Sequence, residues 1–175
     1  MLAVILLSVT TLLILADQLT KLWAVEQLHH ADRVISIIDG VFELRYLENR
    51  GVAFGMMEGQ IWLFVPITLL ISAVIIVMLF RSPMRKHKMF SIPASMVMAG
   101  AIGNLIDRIA YGYVIDFLYF KLIDFPIFNF ADCCVVIGAA LLFLFFFFGM
   151  KEYEDLPMRT TFFGIECVNK EKNDG

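Results

Sequence analysis

Apolar residues fall in four long blocks, over about 2–23, 61–80, 89–106 and 127–150, with more polar stretches between them. Roughly 20 apolar residues cross a bilayer core, so each block predicts a transmembrane helix. The first is broken late by Asp17, Gln18 and Lys21, and the third carries Pro93 near its start. The linkers are 24–60, 81–88 and 107–126, and a polar tail of mixed charge, expected to be loosely ordered, covers 151–175. The expected fold class is an all-α polytopic membrane protein, with one four-span domain over 1–150 and a tail. Apolar residues begin at Leu2, with no basic start and no Ala-x-Ala cleavage pattern after the block. That predicts a retained membrane helix rather than a cleaved leader.

Orientation comes from the short linker Arg81-Ser-Pro-Met-Arg85-Lys86-His-Lys88, whose four basic residues should stay in the cytoplasm. Both termini then lie in the cytoplasm, and linkers 24–60 and 107–126 face outward. Arg33, Arg45 and Arg50 in the first outer linker are diluted by six acids. Lys21, at the outer end of span one, conflicts with this rule unless a structural or site role holds it there. Val34 to Leu47 is rich in β-branched and aromatic residues around Asp39-Gly40, which predicts a small β-hairpin on the outer face. Asn49-Arg50-Gly51 is a second turn signal, and Ala53 to Met57 could lie in the interface.

Composition agrees: 60% of the 175 residues are hydrophobic and 18% charged, more apolar surface than a soluble domain of this length can hide. The net charge of -3 argues against a nucleic-acid partner. The three cysteines, Cys133, Cys134 and Cys167, make neither a disulfide framework nor a metal box.

The polar residues within the apolar blocks carry the functional information. Asp17 and Lys21 lie late in span one, Asn104 and Asp107 late in span three, and Asn129 and Asp132 early in span four. Asp116 lies in the outer linker between spans three and four. All of them collect at the outer membrane boundary, where ionisable groups are costly and mark a functional site. Helical spacing puts each pair on one face, and the short linker 107–126 makes spans three and four antiparallel neighbours. Asp107, Asp116 and Asp132 can therefore converge. Two adjacent carboxylates resist joint ionisation, so one keeps a proton. The ionised one can take a proton from water, while the protonated one polarises a carbonyl. That chemistry hydrolyses a peptide bond without a covalent intermediate. His29, His30 and His87 lie outside the cluster, and no Ser/His pair accompanies a Gly-rich elbow.

Five motifs, in order, resemble the lipoprotein signal peptidase (signal peptidase II) family: Asp17-Gln-Leu-Thr-Lys21, Asn49-Arg-Gly51-Val-Ala-Phe54-Gly, Gly103-Asn104-Leu-Ile-Asp107-Arg108, Val114-Ile-Asp116-Phe and Phe128-Asn129-Phe-Ala131-Asp132. The resemblance covers about residues 1–150. It implies an aspartyl endopeptidase of the bacterial inner membrane that cuts prolipoproteins before a diacylglyceryl-modified cysteine. It implies Asp116 and Asp132 as the catalytic dyad, with Asn49, Gly51, Asn104, Asp107, Arg108 and Asn129 as the surrounding shell. Asp17 and Lys21 match a motif whose role is structural, and the outer hairpin resembles the family's substrate cradle. The implied partners are lipid-modified prolipoproteins and membrane lipids, with no nucleic acid, metal or organic cofactor, and one chain holds the whole site, as in a monomer. The chain departs from the pattern in its short N-terminus, its long tail and the Cys133-Cys134 pair beside Asp132.

Blander readings stand beside these. Asp107-Arg108 could be an interfacial ion pair, Asp17 and Lys21 a helix-end pair, Asn129 a helix cap and Asp116 a solvated loop acid. Asp39 and Asp124 read as loop acids. Cys133 and Cys134 read as packing residues, as do Gly100, Gly103, Gly138 and Ala139 between helices, with Phe145 to Phe148 facing lipid. An ion-coupled transporter using Asp17, Asp107 and Asp132 is a competing function, although the two halves show no similarity. A scaffold binding lipid or partner helices is another. The dyad reading expects the Asp116 and Asp132 carboxylates roughly 3–6 Å apart, so that one water reaches both.

Overall fold

The computed structural model describes residues 2–29, 33–51, 61–81, 88–149, 158–161 and 164–167. Its elements follow the apolar blocks. Helix α1 covers Leu2–Ala24 and runs into a π turn at Val25–His29, α2 covers Ile61–Arg81, and α3 covers Lys88–Tyr111. Helix α4 covers Phe130–Leu144 and ends in a second π turn, Phe145–Gly149. Among the described residues, three stretches are long and apolar enough to cross a membrane, Leu6–His29, Lys88–Tyr111 and Phe130–Phe148, and α2 holds a shorter apolar segment, Thr68–Val77. Ala53 to Met57 and the centre of the basic linker 81–88 lie outside the described residues.

The predicted hairpin forms as β1 (Ile35–Ile38) and β2 (Phe42–Asn49). Its turn uses Gly40 at φ 73°, a conformation that glycine adopts without steric cost, and Ser36 Oγ donates to Asp39 Oδ1 at 2.6 Å. A third strand, β3 (Val114–Tyr119), pairs antiparallel with β2, giving the sheet order β1-β2-β3. The linker 107–126 is therefore no open loop. Gly112 at φ 78° follows α3 and donates its N–H to the Arg108 carbonyl at 3.2 Å, which closes the helix end. Asp116 thus sits on a strand, opposite Leu47.

Span four also starts later than its apolar block suggests. Phe128 bridges to Leu118: its N–H donates to the Leu118 carbonyl at 3.0 Å, and its carbonyl accepts from Phe117 and Leu118 N–H at 3.0 and 2.8 Å. Phe128 is therefore tied to the sheet edge, and Asn129 caps the helix that starts at Phe130. Two of the expected packing assignments change. Ala139 is exposed, and Phe145 is buried at 5% exposure, in a cluster with Leu6, Ile75, Phe90 and Ala94. Phe146, Phe147 and Phe148 are exposed as expected. Within the tail, Met158–Thr161 and Gly164–Cys167 pair as an antiparallel hairpin, β4 and β5, where the sequence predicts only loose order.

Helices α3 and α4 meet through glycine. A Cβ on Gly100 would collide with the Ala131 carbonyl oxygen and lie 2.8 Å from Val135 Cγ2. One on Gly138 would lie 2.8 Å from the Pro93 carbonyl oxygen, and one on Gly103 would lie 2.5 Å from Asp17 Oδ2. These are close approaches of backbone to backbone or to a buried carboxylate, which is how small residues let membrane helices pack. Gly100→Ala is expected to lower stability by about 1–3 kcal/mol, the range for overpacking. Thermal unfolding in detergent measures it, and an unchanged midpoint would show that the contact yields at no cost.

Candidate active site

Lys21 is the most deeply buried cation described, at 1% exposure. An ammonium cannot be left unpaired at such a depth. Its Nζ contacts Asp17 Oδ2 at 2.9 Å, Asp107 Oδ2 at 2.9 Å and Asn104 Oδ1 at 2.9 Å. Lysine has three N–H donors and no acceptor, so all three donors are used. The conflict between Lys21 and the charge rule is resolved by these contacts: it is not a snorkelling side chain.

The two carboxylates reach further. Asp17 Oδ1 accepts the Ala131 N–H at 2.9 Å, a donor in the first turn of α4 that has no partner within its helix. Asp107 Oδ2 accepts the Ile115 N–H at 3.1 Å, on β3. Gln18 Nε2 bonds Asp17 Oδ2, Asp107 Oδ1 and the Gly103 carbonyl at 3.1, 3.0 and 3.3 Å. Sequence reasoning does not single out Gln18 as a site residue. Its place within the Asp17–Lys21 motif, three residues before Lys21, is the available signal.

Three asparagines form the next layer. Asn129 is the N-cap of α4, and its Oδ1 accepts the Asp132 N–H at 3.0 Å while Asp132 Oδ2 accepts the Asn129 N–H at 3.1 Å. This is a reciprocal capping box. Because a backbone N–H can only donate, Asn129 must turn its Nδ2 the other way. That Nδ2 donates to Asp116 Oδ1 at 2.6 Å and to Asn104 Oδ1 at 3.0 Å. Asn104 in turn donates from Nδ2 to Asp132 Oδ1 at 2.8 Å. Asn49 accepts the Gly51 N–H at 3.1 Å and donates to Asp116 Oδ2 at 2.8 Å.

Every sequence-predicted residue therefore belongs to one connected cluster or its rim. Asp116 and Asp132 are linked through Asn129, which caps α4 as the cap reading expects and also bonds both carboxylates. Asp107 turns to Lys21, Gln18 and Ile115 rather than acting as a surface partner of Arg108. Arg108 Nη1 donates to the Asn104 carbonyl at 3.2 Å and lines the cleft. Asp124 bonds the Tyr119 hydroxyl at 2.6 Å, as a loop acid would. Cys134 is buried packing, but Cys133 lines the cleft.

That cleft holds about 1220 Å³ and is bounded by β2, by Phe125 to Phe128, and by Asp132, Cys133, Val136 and Ile137 on α4. Asp116 and Asp132 both open onto it. Burial raises the Asp116 carboxyl to about 7, helped by the nearby Asp132 charge and opposed by hydrogen bonds from Asn49 and Asn129 and by the Lys21 charge. Among the described residues, no group of three or more His, Cys, Asp and Glu is arranged to hold a metal.

Two solved structures share the fold. Both are described as bacterial membrane enzymes, determined by the in meso method. One matches with a TM-score of 0.75 at 24% identity, over 89% of this chain and 94% of the other. The second matches with a TM-score of 0.70 at 27% identity, over 79% and 90%. Fold and site together define a helical membrane enzyme. A family described as signal peptidase (SPase) II matches residues 9–148. A lipoprotein signal peptidase of Halothermothrix orenii is 42% identical over 137 residues, 78% of this chain and 91% of its own. One of Symbiobacterium thermophilum is 45% identical over 133 residues, 75% and 86% of the two chains. The chain belongs to the signal peptidase II family and is a peptidase of the aspartic type.

Two outcomes follow for stability. Lys21→Met would leave Asp17 and Asp107 without their shared counter-ion, which is expected to cost about 3–5 kcal/mol, measurable by thermal unfolding. An unfolded carboxyl titrates near ~3.9, so burial of Asp116 makes its ionised form costly in the fold. The cost is absent below that value and complete above about 7. The melting temperature of Asp116→Asn relative to the native chain should therefore rise as pH increases through this window. A difference that stays flat with pH would contradict it.

Proposed function

We propose that this enzyme removes signal peptides from diacylglyceryl-modified prolipoproteins, cutting before the lipidated cysteine, with Asp116 and Asp132 as its dyad. The observation that carries the reading is the pair itself: two carboxylates, joined through Asn129, on the wall of one large cleft. The relatives named lipoprotein signal peptidase support the substrate class.

The environments of the two acids divide the labour. Asp132 lies in the first turn of α4, where its carboxylate accepts the Asn129 N–H and the Asn104 amide. Asp116 is 1% exposed on a strand and holds its proton up to about 7. Asp132 takes a proton from a water molecule, and the resulting hydroxide attacks the scissile carbonyl. Asp116 donates its proton toward the carbonyl oxygen and stabilises the tetrahedral intermediate. Collapse of that intermediate re-forms the carbonyl as a hydroxyl proton returns to Asp116, and breaks the C–N bond as the proton taken up by Asp132 passes to the leaving amine. Asn49, Asn104 and Asn129 hold the carboxylates in place, and Arg108 lies at the cleft wall beside them.

In this reading α2 is the fourth span, both termini are cytoplasmic, and the three-stranded sheet lies on the outer face of the bacterial inner membrane. The clustering of polar groups at the sheet end of α1, α3 and α4 supports it, because a peptidase for lipid-anchored substrates works at that depth. The chain acts as a monomer, with every dyad partner drawn from one copy.

The test uses purified protein in detergent with a diacylglyceryl-modified prolipoprotein. Asp116→Asn and Asp132→Asn are each expected to lower kcat by about 10²–10⁴-fold, and unchanged cleavage by either would overturn the dyad. Activity also requires Asp116 to be protonated, so kcat/KM should decline as pH rises through about 7.

A further inference from the structure

The side of the cluster away from the cleft converges on one atom. Lys21 Nζ has three partners, and each leads in one further step to an aspartate of the dyad or to the residue just before it. Asp17 bonds the N–H of Ala131, the residue before Asp132. Asp107 bonds the N–H of Ile115, the residue before Asp116. Asn104 bonds the Asp132 carboxylate itself. The partners come from α1 and α3, and the groups they hold lie on α4 and β3.

We infer that Lys21 is a positioning residue for peptide cleavage, a hub that fixes the separation and orientation of Asp116 and Asp132 from behind without touching substrate. The inference rests on the dyad reading and adds to it a function for a residue otherwise explained by helix packing alone. An ammonium donates in three directions, so its three acceptors must turn their oxygens inward. For Asn104 this is decisive. With its Oδ1 held by Lys21 and by Asn129 Nδ2, its Nδ2 faces Asp132 and keeps that carboxylate oxygen an acceptor. For Asp17 and Asp107, one oxygen of each contacts the ammonium. Asp17 uses its other oxygen for Ala131, whereas Asp107 binds Ile115 through the same oxygen. A merely structural ion pair needs none of these onward bonds. The charged groups facing Lys21 are Asp17 on its own helix and Asp107 on α3, and those near Asp132 are Asp116 on β3, Arg108 on α3 and Lys21 itself.

Removing Lys21 alone leaves two carboxylates unbalanced, so the test uses a charge-balanced pair, Asp17→Asn with Lys21→Met. The carboxamide at position 17 can still accept the Ala131 N–H and can donate to Asp107. The variant is assayed beside wild type and Asp132→Asn on a diacylglyceryl-modified prolipoprotein, over a series of substrate concentrations, with thermal unfolding measured on the same samples. The expected result is a folded protein whose kcat is lower by about 100-fold, the effect of an ångström-scale misplacement, with KM within about threefold of wild type. Wild-type kcat in the folded variant would overturn the proposal. So would a loss that vanishes at a temperature where the variant is fully folded, since that is a purely structural effect. If the pair fails to fold, Asp17→Asn with Lys21→Gln restores one neutral donor. It is expected to keep kcat above the background rate of Asp132→Asn yet well below wild type at unchanged KM, and a wild-type kcat overturns the proposal. Activity in Asp132→Asn overturns the dyad instead. An inactive Asp132→Asn beside a wild-type-like double variant overturns the positioning role alone.

Discussion

A buried ammonium is the constraint on which the rest of this structure depends. Lys21 lies where neither water nor lipid headgroups reach it, and desolvating such a charge costs several kcal/mol unless partners surround it. The fold supplies them from two helices, and those partners in turn need donors of their own. Asp17 finds one at the first turn of α4, and Asp107 finds one on β3. Satisfying one cation thus determines where four elements meet. The cluster of Lys21, Asp17 and Asp107 keeps one formal negative charge, which Gln18 and two backbone N–H groups share.

The direction of each hydrogen bond is as constrained as its length. A carboxamide can face either way, but each asparagine here meets at least one group that can only donate. Gly51 N–H fixes Asn49, Asp132 N–H fixes Asn129, and the ammonium fixes Asn104. All three then turn their amino groups toward the paired acids. In a low-dielectric site an amide aimed the wrong way would leave two polar groups facing like partners, at a cost well above that of a lost surface bond. The acids themselves are made unequal by their backbone: one opens a helix, the other sits in a strand.

Much of this was legible in the chain. Block length gave the helices, and Asp39-Gly40 between β-prone runs gave the hairpin. The order of polar residues along alternating spans brought the site residues to one end of the fold. What escaped was decided by tertiary pairing. Val114 to Tyr119 has β-branched and aromatic residues, yet a strand needs an edge to join, and only the folded hairpin provides it. The start of α4 is hard to place from sequence because Ile127 and Phe128 are as apolar as a span, while the backbone of Phe128 bonds Leu118. Gln18 looked like an ordinary polar neighbour because its value lies in three contacts, two of them with α3. Phe145 and Phe146 are identical in sequence, and only one turns into the bundle.

The glycines of α3 carry a consequence for assembly. Gly103 leaves room for the Asp17 carboxylate, and Gly100 leaves room for the first turn of α4. Shift α3 by a single residue and a side chain from Ile102 or Asn104 enters the space kept for that acid. Helices that have already entered a bilayer can still slide past one another before they lock. Here the polar cluster closes in one alignment only, so the groups that do the chemistry also proofread the arrangement of the helices around them.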